Sequence, residues 1–465
     1  MPQSIIKKIR VKDLFGKFSY AIPEKESMMS PVILYGDNGV GKSTILNLAF
    51  HALSAANDRG HRTAMKKVAF KEFTVELSDG TVVSATRENN ISDEILDLKI
   101  FVGNKLRAQW ISGQEDSPYI LVGDELVRTR FDDNDDRLTE TYLRYARMIG
   151  EKNSKKDGVA RGNHAYIRKL EQVAPRIYYL NADRKLDSDD VADATDTTEI
   201  RRMITSREMK RTTDILRLSR GNSLLQALEN AASWVNRRAV SDANRGSENT
   251  HSAYESILNQ IAIDYIGESN TIDAEKIKNL ILLVERIEED TKNYSKYELA
   301  AELKMEKFKS ALGSQNDQSV SISAKLIQPY VEGLSKRLEA IAPLYQVLNS
   351  FVSTINGFLN GKRISYRLSQ GFYIVDDNGE NLQPHQLSSG EQQLLLIFSY
   401  VLAARDVPSV FIIDEPEISL NIKWQRKIVR SLLSVAEQSM IQFVFASHSL
   451  ELIAQHSDAV VEIGR

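Results

Sequence analysis

Residues 31–57, PVILYGDNGVGKSTILNLAFHALSAAN, constrain the fold more than any other stretch. Pro31 to Tyr35 is short and apolar, as a strand buried on both faces is. Gly36 to Ser43 then keeps the spacing G-x-x-x-x-G-K-[ST], and Ile45, Leu46, Ala49 and Leu53 recur on one side of the helix that follows. The glycines let backbone N–H groups curl around an anion, and the helix N-terminus adds partial positive charge. In that setting Lys42 would reach the β- and γ-phosphates of a nucleotide, and the Ser43 hydroxyl would hold Mg2+. A strand, a phosphate-cradling turn and a helix imply an α/β fold with a parallel sheet.

The C-terminal hundred residues carry the rest of such a sheet. They alternate helix, strand, helix, strand: LSSGEQQLLLIFSYVLAARD from Leu387, SVFIIDEPE from Ser409, NIKWQRKIVRSLLSVAEQ from Asn421, and QFVFASHS from Gln442. A buried strand ending at Asp414 and Glu415 sets both carboxylates at the C-terminal sheet edge, where ligands bind in open α/β folds. Asp414 would complete the Mg2+ shell, through water, and Glu415 would polarise an attacking water. An Asp-Glu pair after a strand is by itself a turn or capping feature; the upstream P-loop gives it meaning. His448 lies just past a strand tip, a place for a structural histidine or for a γ-phosphate sensor. Ser388, Ser389 and Gly390 precede a helix starting near Glu391 and leave N–H groups facing an anion, although Ser388-x-x-Glu391 is also a capping box.

Composition fits an ordinary soluble globular chain. At 465 residues, with 42% hydrophobic and 26% charged residues, the sequence implies about two or three domains. A net charge of −3 argues against a uniformly basic coat and permits local basic patches. The absence of cysteine excludes disulfides, thiolate metal sites and a cysteine nucleophile, and fits a cytoplasmic protein. Leu394 to Ala404, the longest apolar stretch, is too short to span a bilayer, so no membrane association is expected.

Between the two halves the pattern changes. FKEFTVELSDGTVVSATRE (Phe70 to Glu88) reads as a hairpin turning at Asp79-Gly80. FDDNDDR and EKNSKKDG, from Phe131 and Glu151, read as solvated loops. An acidic stretch, Asp187 to Glu199, is followed by a basic one, Arg201 to Arg220, which suits either a phosphate-contacting surface or a solvated helix face. From about Ile200 to Phe358 the periodicity is helical. Val331, Leu334, Leu338, Ile341, Tyr345, Leu348, Val352 and Ile355 form a heptad seam, with Ile277, Leu280, Val284 and Ile287 as a partner stripe. Gly313 to Ser321 would then turn between two antiparallel helices of a short coiled coil, the second kinked at Pro343; an ordinary helical subdomain is the alternative. RISYRLSQGFYIVDDNGENL, from Arg363, reads as a hairpin turning at Asn378-Gly379. The expected division is an N-terminal lobe over 1–190, a helical insertion over 191–355 and a C-terminal lobe over 356–465.

Taken in order, GDNGVGKST, LSSGEQQ, IIDEPEISL and SHS resemble the ABC-type ATPases, and the long insertion is similar to their SMC and RecF-like branch. The resemblance covers residues 1 to about 190 and 356 to 465. It implies a P-loop ATPase head, a parallel-rich sheet with helices and antiparallel hairpins, carrying a helical insertion. It further implies that Gly36, Asp37, Asn38, Gly39, Val40, Gly41, Lys42, Ser43 and Thr44 bind ATP, with Mg2+ at Ser43 and Asp414. Glu415, His448 and Lys42 would act in hydrolysis. Two heads would sandwich ATP, with Ser388, Ser389, Gly390 and Glu391 of one facing the nucleotide of the other. A glutamine contacting Mg2+ is also implied, with Gln109, Gln114 and Gln172 as candidates. The separation of 346 positions between Lys42 and Ser388 then reflects a site completed by a second copy of the chain.

Departures narrow the resemblance. Break-repair members carry a two-cysteine zinc hook, which this chain lacks, and with 17 residues after His448 no appended Toprim nuclease is expected. What remains resembles stand-alone ATPase subunits of bacterial anti-phage systems of Septu or PARIS type. Such a switch would control a separate effector, a Toprim or other nuclease, with a phage protein as possible trigger. A RecF-like repair ATPase clamping DNA directly is the alternative, and a transporter subunit is disfavoured by the insertion.

Overall fold

The computed structural model describes residues 5–23, 28, 30–56, 59–87, 95–112, 119–122, 125–128, 159–182, 186–189, 221–243, 274–314, 317–417 and 422–464. The backbone divides into two compact units, residues 1–201 with 404–465, and residues 202–403. Arg201 to Arg220, Gln114 and the two charged stretches after Phe131 and Glu151 lie outside the described residues.

In the first unit a six-stranded sheet runs in the order Leu186–Ser188, Arg176–Leu180, Ser409–Asp414, Ile441–Ala446, Val32–Tyr35 and Val460–Glu462. All neighbours are parallel except the first pair. Every residue of Ser409–Asp414 is buried, the pattern of a central parallel strand. The helix Ile422–Val435 makes the crossover from this strand to Ile441–Ala446.

A seven-stranded sheet, antiparallel except at one edge, lies in the same unit: Ala160–Arg161, Lys105–Ser112, Leu96–Val102, Thr81–Thr86, Glu72–Leu77, Ile6–Leu14 and Phe18–Ile22. The hairpin read at Phe70–Glu88 forms within it, and Asp79 Oδ1 accepts the Thr81 N–H at 2.9 Å to close the turn. Gln442, fully buried on the parallel sheet, bonds the Ile6 N–H at 2.9 Å and the Ile6 carbonyl at 2.8 Å. One amide side chain therefore joins the two sheets by bonding both backbone groups of the first residue of Ile6–Leu14.

The helix Lys42–Leu53 packs against strands of both sheets. Ile45, Leu46 and Ala49 share one apolar cluster with Ile9 and Val75 of the antiparallel sheet and with Ile412 and Val444 of the parallel one. The sequence pattern implied a single apolar side, but Leu48, Phe50 and Ala52 are buried as well. A helix held between two sheets has little solvent face. Each large aliphatic chain so buried contributes about 1.5–3 kcal/mol.

The second unit contains helices over 221–243, Ala274–Ser295, Glu306–Leu312, Asp317–Asn356 and Ser389–Ala403, with an antiparallel sheet of Lys362–Arg367, Gly371–Asp376 and Asn381–Leu382. The turn expected at Asn378-Gly379 joins Gly371–Asp376 to Asn381–Leu382, and Lys362–Arg367 adds a third strand through a further turn over 368–370. Leu280, Val284 and Ile287 pack with Val331, Leu338 and Ile341. These two helices run parallel, which corrects the expected antiparallel pair. Ile287 shares a small cavity with Leu338, the Tyr294 and Tyr345 ring centroids lie 4.6 Å apart, and Tyr297 Oη donates to Asn349 Oδ1 at 3.0 Å. The numbers rise together along both helices.

The chain reverses before reaching the long helix. Leu303 N–H donates to Thr291 Oγ1 at 3.3 Å, Met305 N–H to Glu288 Oε1 at 3.1 Å, and Lys309 pairs with Glu288. The residues after Tyr297 thus fold back along Ala274–Ser295, and Asp317–Asn356 starts again at its beginning. That helix takes in part of the segment read as a turn, and it runs on past Pro329 and Pro343.

Candidate nucleotide-binding site

The P-loop joins Val32–Tyr35 to Lys42–Leu53, as its spacing implies. A Cβ added at Gly36 would come within 2.2 Å of the Ile463 carbonyl oxygen, so a strand-edge backbone passes where any side chain would be. Gly41 has φ +94° and caps the helix without any side-chain acceptor, leaving the first-turn N–H groups to the loop interior. The Lys42 side chain is buried, and its ammonium donates to the Gly36 carbonyl at 2.7 Å and the Asp37 carbonyl at 2.9 Å. Burial lowers its pKa, against the pull of Glu415, Asp414 and Asp37.

The two strands flanking the centre of the parallel sheet bring the remaining groups to the same end. Asp414 is paired with Ala446, and Ala446 with Leu34, so both strands finish level with the P-loop strand. Asp414 is buried and hydrogen-bonds Ser43, while Tyr179 Oη donates to its Oδ2 at 3.5 Å. Burial raises the Asp414 pKa; the Ser43 bond acts the other way and the Glu415 charge adds to the rise. Its Oδ1 is buried and has no hydrogen-bond partner among the described residues. An orphaned carboxylate oxygen beside a serine hydroxyl is a hard-oxygen donor set, and it fits a cation such as Mg2+.

Glu415 leaves the strand with φ +51°, in the left-handed region, and its N–H donates to the Ala446 carbonyl at 2.8 Å. Such strain in a non-glycine residue costs about 1–3 kcal/mol and persists only where neighbours enforce it. It turns the carboxylate toward His448, whose Nε2 lies 3.7 Å from Glu415 Oε1. The other ring nitrogen, Nδ1, is 3.5 Å from the Lys42 ammonium. Lysine can only donate, so Nδ1 accepts and Nε2 carries the proton toward Glu415. Lys42, His448 and Glu415 form one contact chain.

Ser388, Ser389, Gly390 and Glu391 belong to the other compact unit. Ser388 and Ser389 are exposed at the start of Ser389–Ala403, and Gly390 is buried. The capping box forms: Ser388 N–H donates to Glu391 Oε2 at 2.7 Å, and Glu391 N–H to Ser388 Oγ at 3.4 Å. Lys362 Nζ bonds both Glu391 oxygens, at 3.1 and 2.9 Å. Burial raises the Glu391 pKa, but the Lys362 and Ser388 bonds outweigh it and the net shift is downward. Its carboxylate therefore turns inward, and the serines face outward.

Of the glutamine candidates, Gln109 donates to Asp97 Oδ1 at 2.9 Å in the antiparallel sheet, and Gln172 takes a 3.4 Å bond from Lys169 on an exposed helix face. Neither is bonded to Ser43 or Asp414. Two residues that sequence reasoning passed over stand in the site instead. Tyr179 braces Asp414 and also bonds Asn47 of the P-loop helix. Glu417 holds the loop carrying His448, through Ser447 Oγ at 2.6 Å and the His448 and Ser449 N–H groups at 3.0 Å. A strand run rich in aromatics reads as core, and only the pairing of Arg176–Leu180 beside Ser409–Asp414 makes Tyr179 a site residue.

A phosphate-cradling loop, a buried Asp-Glu strand end and a neighbouring strand ending in histidine together make up a P-loop nucleotide site. Residues 32–454 match the family described as "AAA domain, putative AbiEii toxin, Type IV TA system", and the chain belongs to that family. Among curated proteins, a putative ABC transporter ATP-binding protein of Clostridium acetobutylicum is 29% identical over 107 residues, covering 23% of this chain and 37% of that protein. A dipeptide transport ATP-binding protein of Caldanaerobacter subterraneus is 29% identical over 133 residues, 27% of this chain and 39% of that protein. The chain thus spans under two fifths of either relative. An Smc head domain with an extended coiled coil, bound to the C-terminal domain of ScpA and derived from Pyrococcus furiosus, aligns over 97% of this chain and 92% of its own, at 12% identity and a TM-score of 0.34. No helix among the described residues is long and apolar enough to cross a membrane.

Proposed function

We propose that the chain is an ATP-hydrolysing switch whose site is completed by a second copy and which controls a separate effector protein. The contact chain Lys42–His448–Glu415, beside a buried Asp414 with one oxygen unpartnered, carries the reading. In it Gly36 to Thr44 would wrap the phosphates with backbone N–H groups, and the Lys42 ammonium would neutralise the β- and γ-oxygens. Ser43 and Asp414 would hold Mg2+, which when bound supplies further positive charge against those oxygens. Glu415 would orient and polarise the attacking water, and His448, donating from Nε2, would hold the carboxylate and respond to the γ-phosphate. The exposed hydroxyls of Ser388 and Ser389, with the anionic Glu391 neutralised by Lys362, suit contact with a partner's nucleotide. Membership of a family described by a toxin–antitoxin system supports a role in bacterial defence, as the sensing subunit of an anti-phage assembly.

Glu415→Gln is expected to bind ATP, lose turnover and accumulate as an ATP-dependent dimer on size-exclusion chromatography with light scattering. Ser388→Arg is expected to bind ATP as a monomer. Wild-type turnover in the first variant, or normal ATP-driven association in the second, contradicts the corresponding part of the reading. Strong stimulation of the purified chain by duplex DNA, with no effector co-purifying, would favour direct DNA clamping instead.

A further inference from the structure

We infer that Glu417 is a positioning residue for hydrolysis, holding His448 in register with Glu415 and Lys42. The inference rests on the ATPase reading above. Its basis is the loop Ser447–Ser449, which leaves the strand Ile441–Ala446 and carries His448 into the site. Ser447 N–H donates to the Leu34 carbonyl at 3.2 Å, which ties the first residue of the loop to the P-loop strand. Beyond it the backbone N–H groups of His448 and Ser449 turn to one point. Glu417 Oε1 occupies that point, accepting both N–H groups at 3.0 Å and the Ser447 hydroxyl at 2.6 Å. Ser447 is fully buried, and its Oγ in turn accepts the Ser449 N–H at 2.9 Å, so the loop closes on the carboxylate from both sides.

Glu417 sits two residues beyond Glu415, so one short segment serves two ends. Glu415 is fixed by its N–H on the Ala446 carbonyl, and Glu417 fixes the loop that follows Ala446. The 3.7 Å approach of His448 Nε2 to Glu415 and the 3.5 Å approach of Nδ1 to Lys42 are set by that double attachment. Gln425 Nε2 holds the Glu417 carbonyl at 3.3 Å, anchoring the same segment to the crossover helix. The second carboxylate oxygen, Oε2, is buried without a hydrogen-bond partner among the described residues. A group kept for charge alone would satisfy both oxygens or expose one; Glu417 uses one oxygen as a three-way acceptor. Charge-assisted bonds to backbone N–H groups are short and directional, as a fixed loop requires.

This geometry separates the acceptor from the charge. Glutamine keeps a carbonyl oxygen at the Oε1 position and replaces only the unpartnered oxygen, whereas alanine removes the acceptor and aspartate withdraws it by one methylene. With purified full-length protein and Mg-ATP, Glu417→Ala and Glu417→Asp are expected to lower kcat by roughly 100-fold, the lower range for a displaced acid–base group, with KM for ATP within about 3-fold. Glu417→Gln is expected to recover kcat to within about 5-fold of the wild type, because hydrogen bonds to a neutral oxygen persist in weaker form. Glu417→Ala combined with His448→Ala should be no slower than the slower single variant, since both act through one imidazole. Thermal melts report folding; should the alanine variant not fold, the aspartate and glutamine variants decide. Wild-type kcat in Glu417→Ala or Glu417→Asp, or independent multiplying losses in the double variant, overturns the inference. Glu415→Gln run in parallel separates the two readings: if it turns over normally, the ATPase site itself is misassigned.

Discussion

Acidification should destabilise the first compact unit through His51, at the end of the P-loop helix. His51 Nδ1 lies 2.9 Å from His61 Nδ1, and the Arg62 guanidinium donates to the His51 carbonyl at 3.1 Å. Burial, reinforced by the His61 and Arg62 charges, pushes the His51 pKa down to about 4 from 6.5. Asp189 faces the far side of the pair, with Oδ1 3.4 Å from His61 Nε2. A histidine with a depressed folded pKa binds its proton more readily in the unfolded chain. Its contribution is therefore complete above the unfolded value and is lost as pH falls toward about 4. The whole interval corresponds to roughly 3 kcal/mol, and at about pH 5 roughly 2 kcal/mol of it should be gone. Asp189 titrates below this window: burial raises its pKa, but the bonds from His61 and Ala55 outweigh that and leave it below the ordinary value. Guanidinium unfolding followed by tryptophan fluorescence from about pH 7.5 to about pH 4.5 measures the loss. His51→Asn, which keeps an acceptor and cannot titrate here, should flatten the curve by about that amount. Equal pH slopes for the variant and the wild type would refute the assignment of the loss to His51.

Gly36→Ala should abolish ATP binding and lower the melting temperature, because its Cβ meets a backbone carbonyl at 2.2 Å that cannot yield as a flexible side chain would; fluorescent-nucleotide titration and a thermal melt read both effects. The parallel register of the long helices is testable by crosslinking, since the native chain has no cysteine. Ile287→Cys with Leu338→Cys should form a disulfide under mild oxidation, and Ile287→Cys with Leu348→Cys, the pairing of an antiparallel hairpin, should not.

Local signals carried a good part of this protein. The P-loop spacing set a strand, a turn and a helix, because glycine torsions, the lysine and the apolar run act within a few residues of one another. The capping box at Ser388 and Glu391 was legible for the same reason, and so was the hairpin turning at Asp79-Gly80. The heptad stripes identified which faces of the two long helices are buried. A stripe names a face and carries no polarity, however, so the parallel direction came only from the fold-back after Tyr297.

The site needed contacts that no local pattern encodes. Glu417, at the end of SVFIIDEPE, had no role the sequence could assign, because its three hydrogen bonds lie about thirty residues away. Tyr179 carried no site signal in the sequence and braces Asp414 only through the order of strands. Lys362 gave no signal until a turn of sheet set its ammonium on Glu391. The sequence by itself pointed to the groups proposed to meet a phosphate, since that chemistry depends on residue type and short spacing. Only the tertiary structure decided which side chains hold those groups in place, because a hydrogen bond between distant segments exists once the sheet has aligned them and not before.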